Sequence, residues 1–125
     1  MRPFTILYVE DNDDLRATIA DLLAGPDRAI TPCASGEAAL LACEAQPFDV
    51  VVTDVSLPGL SGAELARRLL AKDPAQWIVL CSGYLFDEQT ARLGPNVRSL
   101  PKPFEPEELD ALMNEIIGAV RGNPG

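Results

Sequence analysis

Charged side chains stand at the ends of three apolar, strand-like runs in this sequence. Asp54 and the acidic pair Glu10-Asp11 each follow such a run directly, and Lys102 comes shortly after a third. A carboxylate that ends a buried strand is held rigidly and is still open to solvent. Because the carboxyl ends of parallel strands share one edge of an α/β sheet, where ligands bind, these side chains should converge. The pattern predicts that three carboxylates and one ammonium group meet at one site.

The absence of histidine excludes several kinds of catalytic chemistry. Ser-His-Asp and Cys-His nucleophile pairs, histidine zinc sites and histidine general bases all need that side chain. The three cysteines are an odd number without any Cys-x-x-Cys spacing, which argues against a disulfide framework and a zinc site. Cys33, Cys43 and Cys81 lie in apolar segments and are predicted to be small buried hydrophobic residues. Any chemistry must use carboxylates, hydroxyls and lysine, with or without a metal.

Length and composition indicate a single globular domain. The chain has 125 residues, of which 47% are hydrophobic, so it can bury a full core. Its net charge of −9 argues against a nucleic-acid-binding surface, which would need a basic stripe. No stretch approaches the roughly 18 uninterrupted apolar residues of a membrane span, and no signal peptide precedes the first strand. These features predict a cytoplasmic protein that binds neither a membrane nor nucleic acid directly.

Apolar runs and helical patterns alternate along the chain. Strands are predicted at about 4–9, 29–33, 49–53, 77–81 and 97–100. Helices are predicted to begin after residues suited to helix N-termini, namely Asn12-Asp13-Asp14, Ser35, Ser61 and Glu105. The segment 86–93 is weakly patterned. The helices are expected to bury the apolar residues Leu15, Ile19, Leu22, Leu23, Ala38, Leu40, Leu41, Leu65, Leu69, Leu70, Leu109, Leu112, Ile116 and Val120.

This alternation favours one particular architecture. Strands that alternate with helices form a parallel sheet with right-handed crossovers. Five such units in a chain of this length fit an open, doubly wound sheet and fall far short of a (β/α)₈ barrel, which needs about 250 residues. We therefore predict one α/β domain over residues 1–121, followed by a flexible tail over residues 122–125.

Four ordered segments resemble the receiver domains of bacterial two-component response regulators. They are residues 7–12 (LYVEDN), 51–62 (VVTDVSLPGLSG), 79–84 (VLCSGY) and 100–104 (LPKPF). Each stands at the end of a predicted strand, their order is that of the family, and the resemblance covers nearly the whole chain. It implies a flavodoxin-like (βα)₅ fold with the strand order 2-1-3-4-5.

The resemblance implies a phosphoacceptor in a signalling pathway rather than an enzyme with an external substrate. A sensor histidine kinase or a histidine phosphotransfer protein would transfer a phosphoryl group from its phosphohistidine to Asp54. Mg²⁺ would be held by Asp11, Asp54 and the backbone carbonyl of Ser56, with Glu10 acting largely through metal-bound water. The residue types agree with this, because hard oxygen ligands select Mg²⁺.

Three further residues have roles that the resemblance implies. Lys102 would place its ammonium group on a phosphoryl oxygen of Asp54, which suits the compact charge of lysine. Pro103 would follow Lys102 through a cis peptide bond. Ser82 would donate a hydrogen bond to another phosphoryl oxygen and carry the switch from the site to the surface.

The chain departs from the family at this switch. The family usually carries Tyr or Phe three residues before the site lysine, where this chain has Ser99. Serine cannot fill the space of an aromatic ring, so a different switch residue is required if the usual movement occurs. Tyr84, two residues after Ser82, is either a substitute for that ring or an ordinary packing residue of its loop.

Other readings of the same residues remain open. A pseudo-receiver would be a binding scaffold of this fold that is never phosphorylated, although the intact site residues argue against it. A flavin carrier or an aspartyl-phosphate phosphatase fits poorly, because the acids at 10–14 would repel a phosphate and Ser56 replaces the second aspartate of such phosphatases. No effector domain is expected after the last predicted helix. Output is therefore expected through an unidentified downstream protein, from a stand-alone or excised receiver that is a monomer or a weak homodimer.

Overall fold

The computed structural model describes residues 2–83 and 92–122, which form a five-stranded parallel sheet flanked by helices. The strands are β1 Phe4–Val9, β2 Arg28–Cys33, β3 Val50–Asp54, β4 Trp77–Ser82 and β5 Val97–Pro101. The helices within this part of the chain are α1 Asp13–Leu23, α2 Gly36–Ala45, α3 Gly62–Lys72 and α4 Pro106–Val120. The order β2-β1-β3-β4-β5 confirms the predicted flavodoxin-like topology. The weakly patterned segment 86–93 lies mostly outside the described residues.

The core has two layers because helices cover both faces of the sheet. Along β1, Ile6 and Tyr8 pack towards α1 and α4, whereas Leu7 and Val9 pack towards α2 and α3. Strands that are covered on both faces are expected to be nearly continuous apolar runs, and β1, β3 and β4 have this character. A charged side chain can reach solvent from such a strand only where the strand ends. The fold therefore leaves the strand ends as the place for charged groups.

Side chains at the helix N-termini fix where the helices begin. Asn12, Ser35 and Ser61 each accept a hydrogen bond from a backbone N–H of the first helical turn, at 2.9, 3.1 and 3.1 Å respectively. At α4, the Glu105 N–H donates to the Glu108 carboxylate at 3.0 Å, and Pro106 occupies the first turn. These contacts satisfy N–H groups that have no partner within the helix. All four predicted helix starts are confirmed.

The predicted buried face of α2 is wrong for Leu41, which is 67% exposed. The residues of α2 that are buried are Gly36 and Ala39, and Ala42 and Cys43 pack beside them. Gly36 lies so close to the loop after β3 that a Cβ atom would come within 2.7 Å of the Leu60 carbonyl oxygen. The packed face of α2 runs through Gly36, Ala39, Leu40 and Cys43 at helical spacing, and Leu41 lies off that face.

Two other helices differ from expectation at single positions. Leu22 of α1 is 52% exposed and Val120, at the end of α4, is 37% exposed. Met113 of α4, which the pattern did not predict, is fully buried. The buried stripe of α4 thus runs through Leu109, Met113 and Ile116 at helical spacing and does not reach Val120.

The cysteines behave as hydrophobic residues. Cys81 is buried and Cys33 and Cys43 are half-buried, and all three are free thiols. Burial raises the pKa of Cys43 to about 11 and that of Cys81 to about 12. A thiol with such a pKa is a poor nucleophile at neutral pH. The prediction of a buried hydrophobic residue is therefore confirmed for Cys81, whereas Cys33 and Cys43 are only partly buried.

Candidate functional site

The carboxyl ends of β1 and β3 bring three carboxylates together. Glu10, Asp11 and Asp54 each place one carboxylate oxygen within 4.8 Å of the others. Glu10 is buried, Asp54 is half-buried and Asp11 is exposed, so the cluster runs from the protein interior to the solvent. The predicted convergence of these residues therefore occurs in the structure.

Lys102, which follows β5, supplies the positive charge of the site. Its Nζ lies 3.1 Å from Asp54 Oδ2 and 3.4 Å from Glu10 Oε1. The Lys102 N–H donates to the Ser82 carbonyl at 2.6 Å, and the Lys102–Pro103 peptide bond is cis. The ammonium group thus bridges the carboxylate that follows β1 and the one that ends β3, and the Asp11 carboxylate has no such neutralising partner among the described residues.

Electrostatics keep the lysine charged. Burial alone would lower the pKa of Lys102, but the hydrogen bond to Asp54 and the charges of Asp54 and Glu10 outweigh it and raise that pKa. Beneath the cluster, burial and then the charge of Glu10 raise the pKa of the Tyr8 phenol. Lysine is therefore a cation at neutral pH, and the tyrosine is neutral.

The backbone on either side of Glu10 is tightly held. The Glu10 N–H donates to the Cys33 carbonyl at 3.0 Å, and the Glu10 carbonyl accepts from the Arg16 guanidinium at 3.0 Å. The Asn12 N–H donates to Glu10 Oε2 at 3.0 Å. Sequence reasoning assigned no function to Arg16. An arginine in the first turn of the helix that follows an acidic pair is the signal that could have identified it.

Asp54 is positioned by its strand and by a close approach of α3. In the parallel register Asp54 lies beside Cys81 of β4, and the next N–H, of Val55, donates to the Cys81 carbonyl at 2.9 Å. A side chain at Gly62 would overlap the Asp54 carbonyl oxygen, so only glycine fits there. Gly62 was part of the predicted motif, but its role depends on this contact.

The turn after β3 is tied to α2 by Glu37, a second residue without a predicted function. The Leu60 N–H donates to the Glu37 carboxylate at 3.1 Å. Gly59 adopts a φ of +73°, which non-glycine residues rarely adopt, and it lies against the same carboxylate. Ser56 is exposed in this turn, and its predicted role as a carbonyl ligand stays a prediction.

Residues predicted for the switch are placed only in part. Ser82 is buried at the end of β4, beside Pro101 of β5. Ser99 is half-buried on β5, opposite Leu80, and both serines have interaction partners. Tyr84 lies outside the described residues. The switch therefore remains a prediction.

The donor set fits a hard divalent cation. The ligand atoms are carboxylate oxygens, which Mg²⁺ prefers, and Mg²⁺ retains several waters and therefore suits an open site. Lys102 neutralises part of the charge, and the exposed Asp11 leaves one side of the cluster accessible. The acidic triad could therefore hold a metal ion next to Asp54.

Comparison with known proteins identifies the family. The family model of the response regulator receiver domain matches residues 6–114, which is most of the chain. The chain belongs to this family. Receiver domains are signalling domains rather than typical enzymes.

Individual relatives agree with this assignment. The receiver domain is similar to the response regulator receiver protein CpdR of Brucella abortus (31% identity, 89% of this chain and 92% of CpdR). It is also similar to the sensor kinase CckA of the same organism (32% identity, 90% of this chain) but spans only 12% of that kinase. Among solved structures, the BeF₃-activated DrrB receiver domain is 27% identical, covers 92% of this chain and 97% of its own, and has a TM-score of 0.78.

Within residues 2–83 and 92–122, no helix of the receiver domain is both long enough and apolar enough to cross a membrane.

Proposed function

We propose that this receiver domain accepts a phosphoryl group on Asp54 from the phosphohistidine of a sensor histidine kinase or of a histidine phosphotransfer protein. The observation that carries the proposal is the Lys102 ammonium, which bridges Asp54 and Glu10 at the edge where Asp11 completes the acidic cluster. Asp54 combines a strand-end carboxylate, a contacting cation and neighbouring metal-type ligands. The similarity of the chain to the sensor kinase CckA supports a kinase-linked pathway.

The reaction transfers a phosphoryl group from an imidazole nitrogen of the donor histidine to a carboxylate oxygen of Asp54. An Asp54 carboxylate oxygen attacks phosphorus, a P–O bond forms, and the P–N bond to the donor imidazole breaks. The electron pair of that bond stays on the imidazole nitrogen, which takes up a proton from solvent. Water can later attack the phosphorus of the acyl phosphate and regenerate Asp54. Its own phosphorylation and this hydrolysis are the only reactions that we assign to the domain as a catalyst.

Different residues around Asp54 stabilise charge, bind the metal and donate a hydrogen bond to the phosphoryl group. Lys102 stabilises negative charge that develops on the phosphoryl oxygens, because its Nζ already lies at hydrogen-bond distance from the carboxylate that becomes phosphorylated. Glu10, Asp11, Asp54 and the Ser56 carbonyl would hold Mg²⁺, which when bound offsets repulsion between the carboxylate and the incoming phosphoryl group. We assign a hydrogen bond from Ser82 to a phosphoryl oxygen.

Incubation with acetyl phosphate and Mg²⁺, followed by intact-mass measurement, tests the proposal. The wild-type domain should gain one phosphate, and Asp54→Asn should gain none. Asp27→Asn, which changes an exposed aspartate in the turn before β2, is the matched control and should be phosphorylated as wild type. A stable adduct of equal yield in Asp54→Asn would contradict the assignment.

The same experiment distinguishes the pseudo-receiver alternative. A domain that binds Mg²⁺ but gains no phosphate from acetyl phosphate, or from a phosphorylated histidine phosphotransfer protein, would be a binding scaffold. The proposal also includes a receiver domain over residues 1–121 with a flexible tail over 122–125. It further includes a cytoplasmic location and output through a downstream protein.

A further inference from the structure

Arg16 is held against the backbone of residues 10–12, between β1 and α1, although it contacts none of the three clustered carboxylates. It lies in the first turn of α1, where its N–H donates to the Asn12 carbonyl at 2.9 Å. Its side chain turns back, so that Nη1 donates to the Glu10 carbonyl at 3.0 Å and Nη2 to the Asp13 carboxylate at 2.7 Å. The side chain is only 21% exposed.

The carbonyl that Arg16 contacts belongs to the peptide unit between Glu10 and Asp11. The Glu10 N–H makes a sheet-type hydrogen bond to Cys33, whereas the Glu10 carbonyl, beyond the last residue of β1, is bound by the guanidinium. Because the peptide unit is planar, a fixed carbonyl also fixes the direction in which the chain enters Asp11. One guanidinium group therefore sets the orientation of the peptide that joins two of the three carboxylates.

We propose that Arg16 is a positioning residue for the metal site, which holds the Glu10–Asp11 peptide so that both carboxylates point at the cluster. The inference rests on the proposed function, because it concerns the Mg²⁺ that the site would bind. Outer contacts that orient metal ligands affect affinity strongly, and their loss typically costs about tenfold or more. The Asp13 carboxylate contacts the second arm of the guanidinium, but it is 85% exposed, so solvent screens this pair and the bond to the Glu10 carbonyl carries the argument.

The sign of the effect separates positioning from simple electrostatics. Arg16 is a cation near an acidic cluster, so charge alone predicts that its removal would strengthen Mg²⁺ binding. A positioning role predicts the opposite result, since ligands that lose their orientation bind more weakly. Arg16→Ala should therefore weaken Mg²⁺ binding by about tenfold.

Arg28→Ala provides a matched control. Arg28 also donates to a backbone carbonyl, that of Leu23, and pairs with an aspartate, Asp110, at 2.6 Å. It lies at the start of β2, at the other end of that strand from Cys33, whose carbonyl contacts Glu10. Its replacement removes the same charge and a similar set of contacts, so it reports any loss of affinity caused by weaker folding alone.

Calorimetric titration with MgCl₂, combined with urea unfolding in the absence of metal, tests the proposal. Arg16→Ala should bind Mg²⁺ about tenfold more weakly than wild type, Arg28→Ala should bind it as wild type does, and Arg16→Lys should recover part of the affinity. Arg16→Lys also serves if Arg16→Ala does not fold. Unchanged or tighter binding in the folded Arg16 variants would overturn the inference alone, whereas absence of binding in the wild-type domain would overturn it together with the proposed metal site.

Discussion

At the scale of single residues, the site depends on a glycine as much as on its charged groups. Asp54 can occupy its position only because α3 begins with Gly62, whose missing side chain leaves room for the Asp54 carbonyl. The same tight approach lets the Gly62 N–H donate to the Val55 carbonyl at 3.0 Å. The position of the Asp54 carboxylate therefore depends on the absence of a Cβ atom at residue 62.

Gly62→Ala should lower the free energy of unfolding by about 1–3 kcal/mol, because the backbone must shift to admit the new Cβ atom. It should also weaken Mg²⁺ binding, since the shift displaces Asp54. Urea unfolding and Mg²⁺ titration measure the two effects. Gly25→Ala is the control, because a Cβ atom there meets nothing within 4 Å. Equal stability of the two variants would contradict the steric argument.

At the scale of secondary-structure elements, the N-terminal ends of β1 and β3 are joined by a polar network. The Asp49 carboxylate accepts from the Thr5 N–H at 2.9 Å and from the Arg2 guanidinium at 3.0 and 2.8 Å. The Asp49 side chain is 11% exposed, whereas that of Arg2 is 68% exposed. The contact with the Thr5 backbone should therefore stabilise more than the ion pair, which solvent screens.

Asp49→Asn should lower the free energy of unfolding by about 1–2 kcal/mol at pH 7. Burial alone would raise the pKa of Asp49, but the hydrogen bonds from Arg2 and Thr5 and the charge of Arg2 lower it. The stabilisation is thus complete above the unfolded pKa of about 3.9 and is lost as the pH falls through the lower folded pKa. Urea unfolding of both proteins between pH 7 and pH 2.5 should show the difference shrinking in acid. A difference that does not change with pH would contradict this linkage.

The loop after β4 is the element that we expect to change on phosphorylation. Ser82 ends β4, and Ser99 on β5 stands where the resemblance to receiver domains predicted an aromatic ring. We expect the change to centre on residues 82–92, with Tyr84, which lies outside the described residues, as the ring that moves. NMR spectra with and without beryllium fluoride and Mg²⁺ should show shifts concentrated there. If Tyr84→Ala leaves the shift pattern and partner binding unchanged, Tyr84 is an ordinary packing residue.

At the scale of the whole molecule, the domain carries a net charge of −9, and its acidic triad concentrates part of that charge at one sheet edge. Like charges held together destabilise the metal-free state, and a cation that binds only the folded state stabilises it by mass action. Folding and the proposed binding of Mg²⁺ should therefore be coupled.

Mg²⁺ at about a hundredfold excess over its dissociation constant should stabilise the domain by about 2.7 kcal/mol, seen as a rise in the thermal midpoint. NaCl at matched ionic strength is the control for general screening. Asp11→Ala should lose the response to Mg²⁺ and should unfold at a higher temperature than wild type without metal, because one repelling carboxylate is gone. An unchanged Mg²⁺ response in that variant would contradict the ligand role of Asp11.

The sequence by itself determined the fold class, the strand positions and the residues that meet at the site. These properties follow from local patterns, since apolar runs mark strands covered on both faces and a parallel sheet brings its strand ends to one edge. Glu10, Asp11, Asp54 and Lys102 could therefore be predicted to converge without knowledge of any distance between them.

Only the tertiary structure decided how these residues are held. The exposure of Leu41 depends on which face of α2 packs against the core. The contacts of Arg16 with Glu10, of Glu37 with Leu60 and of Gly62 with Asp54 depend on the direction of a side chain or on the distance between two segments. Such contacts leave no periodic pattern in the sequence, because packing in three dimensions and not local propensity places their partners together.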